Sequence, residues 1–197
     1  MKLFYIFYSK ERWDNWIRSL EEASFEQDPE KDGISDGLRI LYSFTEDITI
    51  SVLKIIRLYQ NERFSKEEAL EKVDEVERIV MSQTPEGELA DVIESLQLTL
   101  LALFASCRKY LEGGFDTDIK ALIKKGRASG DENLEKSLDI AANIGANVID
   151  GKACCGKYIK DDAENPSLFD EWLIEIDTMS TAMKSLSKFD EEPGEVS

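Results

Sequence analysis

Between Thr84-Pro85 and the glycine pair Gly113-Gly114 lies a stretch whose spacing allows essentially one conformation. Leu89, Val92, Ile93, Leu96, Leu100, Leu103, Phe104 and Cys107 recur every three or four residues. That is the spacing of one face of an α-helix, and it predicts a helix over about 86–112 that stops at the glycines. From Leu98 onward the opposite face is apolar as well, which places this half at the centre of a bundle. Leu96, Leu100 and Leu103 are therefore expected in the core, together with Trp172.

The remaining segments repeat the helical pattern. Ser9 is positioned to cap a helix carrying Trp13, Trp16, Ile17 and Leu20 on one face. A second helix is expected at about 37–61, with Leu41, Phe44, Ile48, Val52, Ile55 and Tyr59 inward. Ser65 and Glu68 form a capping-box pattern for a third, which carries Val73, Val76 and Val80. A short helix at about 117–128 ends in the basic "KKGRASG". The next starts near Asp131 and presents Leu134, Leu138, Ala141, Ala142, Gly145 and Ile149. Asn165-Pro166 opens the last, striped by Leu168, Trp172, Ile176, Met179, Met183 and Leu186. The expectation is all-α: a single helical bundle of six or seven helices over residues 1–189. The acidic tail at 190–197 is expected to fray, and "LFYIFY" to form a short strand or an aromatic strap.

Charge and residue usage narrow the chemistry. Asp and Glu number 41 against 24 Lys and Arg, a net charge of −17. Such a field repels phosphate backbones, so nucleic acid is not an expected partner. The chain contains no histidine, which removes Ser-His-Asp and Cys-His catalysis and carboxylate-histidine metal sites. Three cysteines, Cys107, Cys154 and Cys155, are too few for a zinc tetrad. The N-terminus lacks a signal-peptide pattern, and the run "LQLTLLALFASC" is too short for a bilayer. The expectation is a cytoplasmic protein with no membrane partner.

Two short motifs suggest ligands and fail on context. "GKACCGKY", residues 151–158, satisfies the phosphate-loop pattern. It follows a helical rather than a strand pattern, however, and Tyr158 follows Lys157 where a Mg²⁺-binding Ser or Thr should stand. The reading is that its two glycines loosen a helix or end it, with the cysteines packing as small apolar residues. "DPEKDGISDGLR" opens like a calcium loop, with Asp28, Glu30, Asp32 and Gly33 in place. Pro29 stiffens it, Ile34 falls one place early, and Arg39 occupies the closing position, so a solvated turn is expected.

Acidic pairs carry the one catalytic alternative. Glu68 and Glu71, then Glu88 and Asp91, fit E-x-x-E…E-x-x-D. The segment "EGELADVIESLQLTLLALF" resembles the second motif of the all-α nucleotide pyrophosphohydrolases related to MazG. That resemblance, over about 40 residues at positions 68–104, implies four carboxylates holding Mg²⁺ at a nucleoside triphosphate. Glu88 and Asp91 would then be catalytic, and Glu68, Glu71, Glu77, Glu88 and Asp91 the metal set. Helical spacing turns Glu68 and Glu71 away from the Ala69-Val73-Val76-Val80 stripe, and Asp91 away from its own. Only Glu77 falls within an apolar stripe.

"FYSKERWDNWI" is the most distinctive segment, and its tryptophans share a helical face that is expected in the core. This opening resembles an archaeal family of helical proteins known only as a domain of unknown function. The resemblance implies no activity. The leading expectation is a non-enzymatic, acidic helical interaction or assembly module, with a protein partner or self-association and with no catalytic, cofactor or metal residues.

Overall fold

Short polar side chains set most of the helix starts. The Ser9 hydroxyl accepts from the Arg12 amide at 3.2 Å and opens α1, Lys10–Glu21. Ser35 does the same for Leu38 at the start of α2, Asp36–Gln60. Ser65 and Glu68 form the expected capping box of α3, Lys66–Met81, each side chain accepting from the other's amide. α4, Ala90–Glu112, has no side-chain cap and ends at Gly113, whose φ of 80° suits glycine. α5 spans Ile119–Ser129, and Asn133 caps α6, Leu134–Ile149. Ser167 accepts from the Asp170 amide at the start of α7, Leu168–Asp190. This computed structural model describes residues 6–26, 33–82, 87–129, 133–152, 155–159 and 166–190. Among the described residues there are seven α-helices and no strand, so the fold is all-α.

α4 is the hub, packing against α2, α3, α6 and α7. Leu100, Leu103, Phe104 and Trp172 are fully buried, and Leu96 nearly so. The Trp172 indole N–H donates to the Leu98 carbonyl at 2.8 Å, tying α7 to α4. α4 is also the one described helix long and apolar enough to cross a membrane, although its longest uninterrupted apolar run is short. Its closest neighbour is α6. A Cβ on Gly145 would lie 1.9 Å from Ser106 Oγ, so the two backbones approach only because that position has no side chain. Beside this contact Asn143 accepts from the Asp116 amide at 2.9 Å, and Asn147 donates to the Asp116 carbonyl at 2.7 Å. The two amides thereby hold the α4–α5 connection against α6.

Smaller contacts finish the frame. Gly126 on α5 sits beneath the Phe169 ring, and Arg127 binds both Asp170 and the Tyr158 carbonyl. The basic "KKGR" segment thus anchors α5 on α7 as well as ending a helix. Trp13 is buried against Phe44, and Trp16 stacks on Phe44 at 5.4 Å while donating to Asp47 at 2.8 Å. Trp13 is core, and Trp16, on the same face, is half-buried against it. Of "LFYIFY", residues 3–5 lie outside the described residues, and residues 6–8 form no strand: Phe7 meets Phe64 edge-on and Tyr8 is buried.

The structure differs from the sequence reading at two places. α4 starts at Ala90 instead of 86, because Gly87 takes a φ of 96° that leaves the helix. α6 starts at Leu134, and that residue is 41% exposed, not inward. It occupies the first turn, ahead of the buried Ser137–Ile149 segment. The first part of the calcium-like loop, 28–32 with its three acidic positions, and the end of the tail, 191–197, lie outside the described residues, while Ser35 to Arg39 of that loop cap and begin α2. "GKACCGKY" begins as a helix stop: Gly151 has φ 93° and donates to the Val148 carbonyl, and Lys152 donates to that of Asn147. Cys154 and the Lys157 side chain lie outside the described part.

Leu100→Ala is expected to cost about 2–5 kcal/mol in urea unfolding, as a cavity in a filled core does. Gly145→Ala should cost about 1–3 kcal/mol by forcing α4 and α6 apart. A loss below about half a kcal/mol at Leu100 would contradict the central placement of α4.

Candidate functional site

α2 and α7 run side by side in the same direction over the N-terminal half of α4, and the three enclose an open cleft of about 850 Å³. The size is that of a ligand or side-chain pocket rather than a packing defect. Leu38, Tyr42, Leu41 and Thr45 line it from α2, Val92, Ser95, Leu96 and Thr99 from α4, and Ile174 and Thr178 from α7. Phe25, at the end of the α1–α2 connection, closes one end and lies over Gly37, where a Cβ would come within 2.8 Å of its ring. Among the described residues, four of the seven large apolar side chains left open to water lie here, while Ile6, Ile34 and Leu134 lie elsewhere. Tyr42 is 60% exposed, Ile174 46%, Phe25 38% and Leu38 37%. A contiguous apolar rim of this kind is what binding surfaces present.

The polar groups of the cleft are one-sided. Glu46, Asp91, Glu171 and Glu175 line it, and among the described residues no lysine or arginine does. None of the four makes an ion pair with another described residue. Glu175 differs from the others in being only 4% exposed. The Thr49 hydroxyl on α2 donates to its Oε1 at 3.0 Å, and no other described residue bonds to it. Burial pushes its carboxyl up to about 7, the Thr49 hydrogen bond pulling weakly the other way.

A buried carboxyl of this kind affects stability. Below about pH 4.5 it is neutral whether the chain is folded or not. As pH rises the unfolded chain loses the proton first, so the folded state loses stability until Glu175 itself ionises near 7. The full cost above that is roughly 3 kcal/mol. A leucine or glutamine here would avoid it.

The carboxylates singled out in the sequence are dispersed. Glu68 is committed to the α3 capping box, and Glu71 and Glu88 are exposed. Glu77 and Asp74 bind the Arg108 guanidinium on α4. Asp91 alone reaches the cleft. Among the described residues no group of three or more Asp, Glu, Cys or His is gathered closely enough to hold a metal ion. Cys107 is buried, and burial pushes its thiol well above the usual range, which leaves it a packing residue. Tyr8, whose hydroxyl is buried with no hydrogen-bond partner among the described residues, is raised in the same way by burial and by the nearby Asp47.

Glu175 and Thr49 are the site residues that periodicity missed. A signal was present: Glu175 stands three residues after Trp172 and four before Met179, inside the apolar face of α7. Thr49 stands three residues before Val52 and four before Leu53, on the buried side of α2.

The family model described as "Uncharacterized protein conserved in archaea (DUF2150)" matches residues 6–192. No curated protein and no solved structure matches the chain.

Glu175→Gln keeps the acceptor for Thr49 and removes the charge. Its stability advantage over the wild type should widen by roughly 2 kcal/mol between about pH 5.5 and pH 8.5, read from denaturant unfolding. An advantage that does not change with pH would show that Glu175 ionises as an ordinary surface carboxylate does.

Proposed function

The chain belongs to this archaeal family, and from that premise we propose that it is a non-enzymatic docking module. Its cleft between α2, α4 and α7 receives an apolar helical segment of a protein partner. The observation that carries the reading is the gathering of Tyr42, Ile174, Leu38 and Phe25 around one open cleft. Exposed apolar side chains cost solubility wherever they cluster, and a protein with a net charge of −17 has ample polar residues to replace them.

The shape suits a helix. The depression continues beyond the cleft along α2 and α7, past Ile50, Leu58, Ala182 and Leu186, and there Lys54 and Arg57 line it as well. A groove that follows two parallel helices presents anchor points at the spacing of an amphipathic helix laid along it. Self-association is the less favoured form of docking, because two chains of this net charge repel.

A photo-crosslinking residue placed at Tyr42 and expressed in an archaeal host tests the reading. The expected result is crosslinks to one recurring segment of a partner, absent when the same residue replaces Glu71 on the exposed side of α3. Equal crosslinking at both positions, or none at position 42, would overturn it.

A melt with and without millimolar Mg²⁺, beside a pyrophosphate-release assay on nucleoside triphosphates, tests the non-enzymatic part. Neither a Tm shift of several degrees nor pyrophosphate release is expected. A ligand at about 100 times its Kd adds roughly 2.7 kcal/mol of stability, so a formed metal site would register. Release that is lost in Glu88→Gln and Asp91→Asn would establish the pyrophosphohydrolase in place of the docking module.

A further inference from the structure

We propose that the cleft is selective for a cation: the group it receives has an apolar body ending in an ammonium or guanidinium, which seats against the Glu175 carboxylate. In a docked helix that group is a lysine or arginine, so the partner segment is basic as well as apolar. This rests on the docking reading for the identity of the occupant. The charge preference itself stands on the geometry of the cleft.

Three observations converge. The Glu175 side chain is almost wholly withdrawn from water yet lines an open cleft, and one described group alone, the Thr49 hydroxyl, binds it. A carboxylate held this way has remaining acceptor capacity directed at whatever enters. Every other titratable group lining the cleft is acidic too: Glu46 from α2, Asp91 from α4 and Glu171 from α7. Their summed potential draws a cation in and opposes an anion. The walls are apolar, which favours the alkyl stem of a lysine-like group and strengthens the charge pair by excluding water.

The arrangement also explains why a destabilising carboxyl is tolerable. An unpaired buried charge is costly, and the cost falls when an incoming cation supplies the missing partner. Binding and ionisation are then coupled. Below about pH 7 the cation must displace a proton from Glu175, so affinity should fall by up to about tenfold per pH unit as pH drops.

Octylammonium and octanol serve as probes of equal chain length, with binding followed by backbone amide NMR shifts at about pH 8. The expected result is that octylammonium binds in the cleft at least about tenfold more tightly than octanol in the wild type. In Glu175→Gln that preference should collapse while octanol binding is unchanged, which also shows the variant cleft to be intact. Equal binding of the two probes to the wild type, or an amine preference that survives in Glu175→Gln, would overturn the proposal. The two readings fail separately. Absence of crosslinks from position 42 removes the protein partner and leaves the amine preference, whereas equal binding of amine and alcohol removes the role of Glu175 and leaves the docking surface.

Discussion

A helix that is apolar on two faces must be covered on two faces, and α4 imposes that requirement on the rest of the chain. Its C-terminal half meets α6 at the Gly145–Ser106 contact and is otherwise enclosed by buried aliphatic and aromatic side chains. Its N-terminal half, from Asp91 to Thr99, is apolar on one side and carries Asp91, Ser95 and Thr99 on another. Covering that half completely would bury groups that need water. Ile93, Leu96 and Leu100 are buried, and α2 and α7 leave the side carrying Asp91, Ser95 and Thr99 as an open cleft. The cleft lies where the all-round apolarity of α4 ends.

Charge then separates the cleft from an ordinary surface groove. A net charge of −17 spread over exposed carboxylates costs little, since water and salt screen it. Glu175 is unscreened. Its burial against Thr49 lowers the stability of the folded state near neutral pH, and among the described residues no cation lines the cleft to offset this. Elsewhere the chain pairs its carboxylates across helices when they approach the core, as Arg108 does for Asp74 and Glu77 and as Arg127 does for Asp170. Glu175 is thus the one buried charged residue among those described and has no ion pair with another of them, and such exceptions concentrate at functional sites.

Much of the architecture was readable from spacing. The caps at Ser9 and Ser65, the stop at Gly113, and the buried faces of α2, α3, α4 and α7 follow from residues three or four apart, a local property. Features that depend on two distant segments were not readable. Arg108 on α4 meets Asp74 and Glu77 on α3, and Asn143 and Asn147 hold the turn at Asp116, through contacts no single-helix pattern encodes. The cleft belongs to the second kind, because it exists only where α2 and α7 lie over α4. Its key residue was nonetheless marked locally by a glutamate inside an apolar face. Asp91 shows the converse, a residue whose direction was read from its helix and whose neighbours could come only from the fold.

The account turns on the ionisation of Glu175. Carbon-13 NMR of the glutamate side-chain carboxyls, titrated from about pH 5 to pH 9 with Glu175→Gln identifying the resonance, measures it directly. An apparent pKa near 7 is the predicted result. A midpoint near the usual glutamate value of about 4.3 would mean that the carboxylate is well solvated, and the cleft would lose its claim to select a cation.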